Sequence, residues 1–145
     1  MKRAAAEASR QPPRTGPWTF SRIQMTSSLC PKEWPVAHVE LIHEELGSVL
    51  EIATGAGCLD AACNAIAELF GVTAPIRSLD VHYEPSRGPS DDLPVVTAAL
   101  DVSIDGTVFA GSATSGDLLV SALSAYLDAL CRALGSEFRL RGGLQ

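Results

Sequence analysis

The chain has 145 residues, 46% hydrophobic and 19% charged, with a formal net charge of −6. Those values predict one domain with a packed core, burying roughly two-thirds of the surface its unfolded chain exposes. The basic residues gather at the ends, as Lys2, Arg3, Arg10 and Arg14, then Arg132, Arg139 and Arg141. No basic stripe is left to neutralise phosphates, so a nucleic-acid partner is not expected.

No apolar run reaches the ~18 residues of a membrane span, so no membrane partner is expected. The start, "MKRAAAEASRQPPRTGP", lacks the hydrophobic centre of a secretory signal and reads as a disordered tail over 1–17. The four cysteines, Cys30, Cys58, Cys63 and Cys131, contain no C-x-x-C pair. No metal is expected from them, and reduced thiols in a cytoplasmic protein are the default.

The ordered chain is predicted to begin at Trp18 and end at Leu134, with a fraying tail over 135–145. "WTFSRIQMTSS" reads as a strand with loose alternation, its apolar points at Trp18, Phe20, Ile23 and Met25. "PVAHVELIH" is a clearer strand, with Ala37, Val39 and Leu41 on one face and His38 and Glu40 on the other. "EELG" is a turn and "SVLEIAT" a third strand. A helix follows from Gly57 to Phe70, its stripe made by Leu59, Ala62, Cys63, Ile66, Leu69 and Phe70, with Gly71 as the stop.

The pattern then restarts. "IRSLDVHYE" sets Leu79, Val81 and Tyr83 against Asp80 and His82. "PSRGPSDD" is a polar loop. "LPVVTAALDVSI" alternates through Val96, Ala98, Leu100, Val102 and Ile104, and Asp105-Gly106 is a two-residue hairpin signal. "TVFAGSAT" returns. Ser115 is the expected cap of a second helix running to Leu134, Asp117 its first-turn acid, and Leu119, Leu123, Tyr126 and Leu130 its stripe.

The chain thus reads as strand–strand–strand–helix twice, over about 18–71 and 75–134. Shifted by 59 positions, "GSVLEIATGAGCL" overlays "GTVFAGSATSGDL" without a gap, with four identities in thirteen positions. The fold class expected is α/β (α+β): a two-layer sandwich of two βββα repeats.

The glycine loop "ATGAG" with an acid downstream at Asp80 also resembles the first motif of class I methyltransferases that use S-adenosylmethionine. Two strands joined by a hairpin and a single helix follow Asp80, which a doubly wound fold does not predict, and neither does the repeat. No Gly-Lys-Ser/Thr follows the glycines, which excludes a P-loop. No cofactor is expected.

Both loops together resemble the C-terminal regulatory domain of 2-isopropylmalate synthase and citramalate synthase. The first signature is carried here by Gly55-Ala56-Gly57-Cys58-Leu59-Asp60-Ala61 and Ala65-Ile66. The second is carried by Asp105-Gly106, Thr114-Ser115-Gly116-Asp117, Ser121, Ala125-Tyr126 and Leu130-Cys131-Arg132. The resemblance spans Trp18 to Leu134. It implies two βββα units related by a pseudo-twofold axis, paired as a homodimer, and an effector of the leucine or isoleucine class bound near the loops. It connects the chain to leucine biosynthesis. Ala56 and Cys58 replace the family's Asn and Pro. The family's catalytic barrel has no counterpart, and the three histidines form no His-x-His pair. A regulatory module acting on a separate synthase-type catalytic subunit is therefore expected, rather than an enzyme.

The effector's carboxylate would meet backbone N–H groups of Gly55, Ala56 and Gly57 or of Ser115, Gly116 and Asp117, beside Ala61 and Thr114. Asp60 or Asp117 would pair with its ammonium, and Leu79, Val81 and Tyr83 would line its side chain. The competing reading is a small enzyme on the same scaffold. Cys58, at a helix start that favours thiolate, would be its nucleophile, or Asp60 its acid–base group. Against each stands a plainer role: helix-start acids for Asp60 and Asp117, loop filling for Cys58, core for Cys63 and Cys131, and exposed strand positions for His38 and His82. The loops themselves would then serve close packing of strand on helix.

Overall fold

The computed structural model describes residues 14–27, 33–85 and 93–135. Cys30, most of the predicted loop 85–92, and the segments 1–13 and 136–145 lie outside the described residues.

Two antiparallel sheets form, each carrying one helix. The first contains β1 (Arg14–Thr15), β2 (Trp18–Thr26), β3 (Val36–His43) and β4 (Gly47–Thr54), in that order. The second contains β5 (Ile76–Glu84), β6 (Val95–Ile104) and β7 (Thr107–Ser115), in that order. Helix α1 (Cys58–Leu69) packs on β3 and β4, and α2 (Leu118–Leu134) packs on β6 and β7. The helices also touch one another. The result is an α+β sandwich of two βββα units, the first extended by the two-residue strand β1. Its wholly antiparallel sheets exclude a doubly wound parallel fold, and Asp80 lies inside β5 rather than at its end.

Alternation in the strands produces the core. Ala37, Val39 and Leu41 of β3, and Val96, Ala98, Leu100 and Val102 of β6, are all buried. The loose alternation of β2 has a cause. A register shift between Phe20 and Arg22 lets Trp18 and Phe20 share the core face with Ile23 and Met25. A second shift, between Ile76 and Ser78, does the same for β5. Trp18 closes one end of the core, edge-on to Phe70 at 5.4 Å and to His43 at 4.7 Å between ring centroids.

Three expectations change. The sheet begins before Trp18: Arg14 and Thr15 pair with Thr19 and Trp18 across Gly16 (φ 57°), inside the segment assigned to the tail. Arg14 is held there by an ion pair with Glu44. Second, Asp117, not Ser115, is the N-cap of α2, because Ser115 is still the last residue of β7.

Third, the repeat offset is 60 rather than 59. Strand β4 starts at Gly47 and β7 at Thr107, while α1 starts at Cys58 and α2 at Leu118. Facing follows strand parity: Val49 and Ala53 look to the core, as do Phe109 and Ala113. An offset of 59 would match core-packed Val49 to Val108, which is 55% exposed. The second hairpin turn is one residue shorter, His43 pairing with Gly47 but Ile104 with Thr107, and that misled the ungapped overlay. The Asp105-Gly106 turn itself forms as its residues predict, with φ of 51° and 82°.

Two close approaches set the helices on their sheets. A Cβ at Gly111 of β7 would lie 2.1 Å from the Ala125 carbonyl oxygen. A Cβ at Gly55 would lie 2.5 Å from the Ala61 nitrogen. Between the repeats, the buried Tyr126 hydroxyl of α2 donates to the Ala74 carbonyl at 2.7 Å.

Candidate functional site

The two helix starts differ once they are aligned at the correct offset. In α1 the N-cap is Gly57, which contributes no side-chain bond. Instead Asp60, the third helical residue, reaches back, and its Oδ2 accepts from the Ala56 N–H at 3.0 Å. In α2 the N-cap is Asp117, whose Oδ1 accepts forward from the Val120 N–H at 2.9 Å. A complete capping box uses both directions at one helix start. Here α2 keeps the forward bond, while in α1 the backward bond falls one residue early, on Ala56 ahead of the N-cap.

Several amides expected to meet a ligand are therefore bonded within the chain. The Gly55 N–H donates to the Pro35 carbonyl at 3.3 Å, Ala56 to Asp60, and Asp117 to Ser115 Oγ at 3.2 Å. Among the described residues, no hydrogen bond within the chain takes the N–H groups of Gly57, Cys58 or Leu59. They point out of α1 as the open donors of a helix start.

The α2 start continues into the sheet. Ser115, on the core face of β7, lies opposite Val96, and Val96 lies opposite Tyr83 of β5. One row thus runs from the edge strand to the helix start. Ser121 closes it: its hydroxyl donates to the Val96 carbonyl at 2.8 Å and meets Ser115 Oγ at 2.6 Å. Ser115 Oγ also donates to the Asp117 carbonyl at 2.9 Å, so the two hydroxyls tie the end of β7 to both β6 and the start of α2. In the sequence Ser121 stands out only as part of the second signature; the signal for its polar role is a serine on an otherwise apolar helix face.

Of the apolar candidates, Leu79 is half-buried against the core, while Val81 and Tyr83 are 41% and 57% exposed. They extend past the helix cover and leave an apolar ledge beside the row. Thr114 faces the other way, its hydroxyl 3.1 Å from that of Thr97. Gly116 rests on Leu93 and Pro94. Ala61 is buried under the α1 start. Among the described residues, no hydrogen bond or ion pair joins the α1 loop to the α2 loop or to β5.

Cys58 is free and half-buried, and among the described residues no hydrogen bond brings a histidine to it. Cys63 is core, its thiol pushed up to about 12 by burial and then by the Asp60 charge. Burial and Asp128 raise the half-buried Cys131 to about 11. His82 lies on the outer face of β5, 3.4 Å from Glu84, and His38 is half-buried on that of β3. His43 serves the fold, since its Nδ1 accepts the Glu45 and Leu46 N–H groups, both at 3.1 Å, and fixes the first hairpin turn. Among the described residues, no group of three or more His, Cys, Asp or Glu side chains could hold a metal ion. Nor is any helix among them long and apolar enough to cross a membrane.

A duplicated βββα unit with a glycine-bearing loop at each helix start defines the class of domain. Residues 4–134 match the LeuA allosteric (dimerisation) domain, and the chain belongs to that family. Among its relatives is a 2-isopropylmalate synthase of Xanthomonas axonopodis pv. citri, 37% identical over 107 residues, which are 71% of this chain and 19% of that protein. Those of Synechococcus sp. CC9605 and Sediminispirochaeta smaragdinae are 31% identical over 105 residues and 33% over 91. These matches cover 72% and 63% of this chain. The chain matches 19% and 17% of those two proteins, so it spans less than a fifth of the relatives' length.

Proposed function

We propose that this chain is a regulatory, homodimerising domain that binds a branched-chain amino acid or a related small carboxylate. Occupancy then adjusts a catalytic unit of the 2-isopropylmalate synthase type. The observation that carries this reading is the row Tyr83–Val96–Ser115, which sets an apolar ledge beside a helix start. The ledge suits a branched side chain, and Asp117 suits its ammonium. The carboxylate goes to open donors at a helix start, those of Gly57 and Cys58 being unbonded among the described residues, rather than to the occupied amides of Gly55 and Ala56. Because the two loops belong to different repeats and no bond joins them among the described residues, a second copy completes the site. That copy also covers Val81 and Tyr83.

Regulation requires the effector to bind two dimer or partner states with different affinity. The reading places the protein in the cytoplasm, where its free thiols stay reduced. Titration calorimetry and thermal shift against the twenty amino acids test it. Leucine or isoleucine should release heat and raise the melting temperature, and Tyr83→Ala should weaken both effects. No response to any of the twenty would sink the effector reading.

A further inference from the structure

Among the described residues the two sheets end in four edge strands, and three of these are protected against pairing with another chain. β1 is only two residues long. β5 carries Asp80, His82 and Glu84 on its outer face and is bulged between Ile76 and Ser78. β7 is covered from α2: the Ser112 N–H on its free edge donates to Asp128 Oδ2 at 3.1 Å, and Arg132 Nε holds the same oxygen at 3.1 Å. β4 has none of these devices. It runs eight residues without a register shift, and no side chain on its outer face is charged.

The groups on the β4 edge follow from its register. The Gly55 N–H donates to the Pro35 carbonyl, so the ladder bonds to β3 alternate back through Ala53, Glu51, Val49 and Gly47. Ser48, Leu50, Ile52 and Thr54 therefore turn their backbone N–H and C=O groups away from β3. Asn64 Nδ2 takes the Thr54 carbonyl at 2.9 Å, and the Ile52 N–H meets the carboxylate of its own neighbour Glu51 at 3.3 Å. Among the described residues, no hydrogen bond takes the edge-facing backbone groups of Ser48 and Leu50. The side chains of Leu50 and Ile52 are 54% and 48% exposed, beside Ile42 at 41%. At the offset of 60, the matching positions in β7 are Ala110 and Ser112. The first repeat thus keeps an apolar, open edge where the second has a small, plugged one.

We infer that β4 is a pairing edge and that its occupant is the β4 strand of a second copy, running antiparallel to it. The inference rests on the homodimer reading above for its partner and adds the strand through which the copies join. Membership of a dimerisation-domain family favours a second copy over an unrelated strand. One unprotected edge per chain also closes after a single pairing, giving a twofold dimer and no filament. The strand Gly47–Thr54 overlaps longest with itself when centred on Leu50 or on Glu51. Centring on Glu51 sets two carboxylates directly opposite each other, which is destabilising. Centring on Leu50 sets Leu50 against Leu50, Ser48 against Ile52 and Val49 against Glu51. The edge-facing pairs then exchange about six backbone hydrogen bonds, within the range of a whole protein interface. On the outer face the two Leu50 side chains meet, and each Ile52 lies diagonal to the other copy's Leu50.

The test is light scattering and amide hydrogen exchange on the full chain, with Leu50→Pro, Leu50→Lys and Ala110→Lys. The Leu50 N–H faces away from β3, so proline there removes a donor to the partner and none from the ladder. The unmodified chain should be dimeric, with slow exchange at the Ser48 and Leu50 amides. Leu50→Pro and Leu50→Lys should each weaken the dimer about tenfold or more and free the Ser48 amide, with the far-ultraviolet circular dichroism unchanged. Ala110→Lys, at the matching place on β7, should do neither. If a Leu50 variant fails to fold, exchange in the unmodified chain still decides: fast exchange at Ser48 and Leu50 in a dimer overturns the proposal. A dimer that survives both Leu50 variants overturns it too and leaves the homodimer reading standing. A monomeric chain overturns both. A monomer whose Leu50 amide is protected only by an added synthase-type catalytic subunit assigns the edge to that partner instead.

Discussion

Replacing Gly111 with alanine would place a methyl group 2.1 Å from the Ala125 carbonyl oxygen and 2.6 Å from the Ala129 nitrogen. Both are backbone atoms of α2, so no rotamer change can yield. The helix must lift off β7 or the strand must bend. Overpacking of this kind costs about 3 kcal/mol, the upper part of the usual range. In a domain of this size that is a fall of ~10 °C in melting temperature. Gly116→Ala is the control, since its nearest contacts would lie at an ordinary 3.6 Å. Thermal and urea unfolding of the two variants measure the difference. Ala129→Gly in the Gly111→Ala background removes only a 2.9 Å side-chain contact and should not rescue it. A Gly111→Ala protein melting within ~2 °C of Gly116→Ala would refute the close-approach argument.

Two further outcomes follow from buried groups. Tyr126→Phe strands the buried Ala74 carbonyl and should cost about 1–2 kcal/mol, read by urea unfolding; an unchanged midpoint would mean water replaces the hydroxyl. Folding raises the thiols of Cys63 to about 12 and Cys131 to about 11, from an ordinary 9.0. Raised values mean the folded state holds these protons more tightly. Stability should be intact below pH 9 and fall as pH rises from there toward 12. Cys63→Ala should flatten that alkaline fall, and an equally steep profile in the variant would remove Cys63 as a cause.

Much of the fold was legible because strand parity and helix period leave separate marks. The β3 and β6 core faces follow directly from Ala37-Val39-Leu41 and from Val96 to Val102. The Asp105-Gly106 turn needed only its own two residues. The offset of the repeat was not legible, because glycines at 47 and 106 align by identity although Gly47 is the first residue of β4 and Gly106 lies in the turn before β7. Only pairing shows which face Val108 takes. Likewise Ser115 and Asp117 both suit a helix cap, and the choice depended on how far β7 continues. At the candidate site, the sequence placed both loops at helix starts. It could not show that Asp60 already occupies the Ala56 amide, since that bond depends on the angle at which α1 leaves Gly57.

The hydroxyl of Tyr126 has a mechanical meaning beyond its hydrogen bond. Ala74 belongs to the short connector between the two repeats, and Tyr126 belongs to the last helix of the second. The bond ties the connector between the halves to the last helix. Swinging one half about that connector would pull an oxygen away from its single donor in a place closed to solvent.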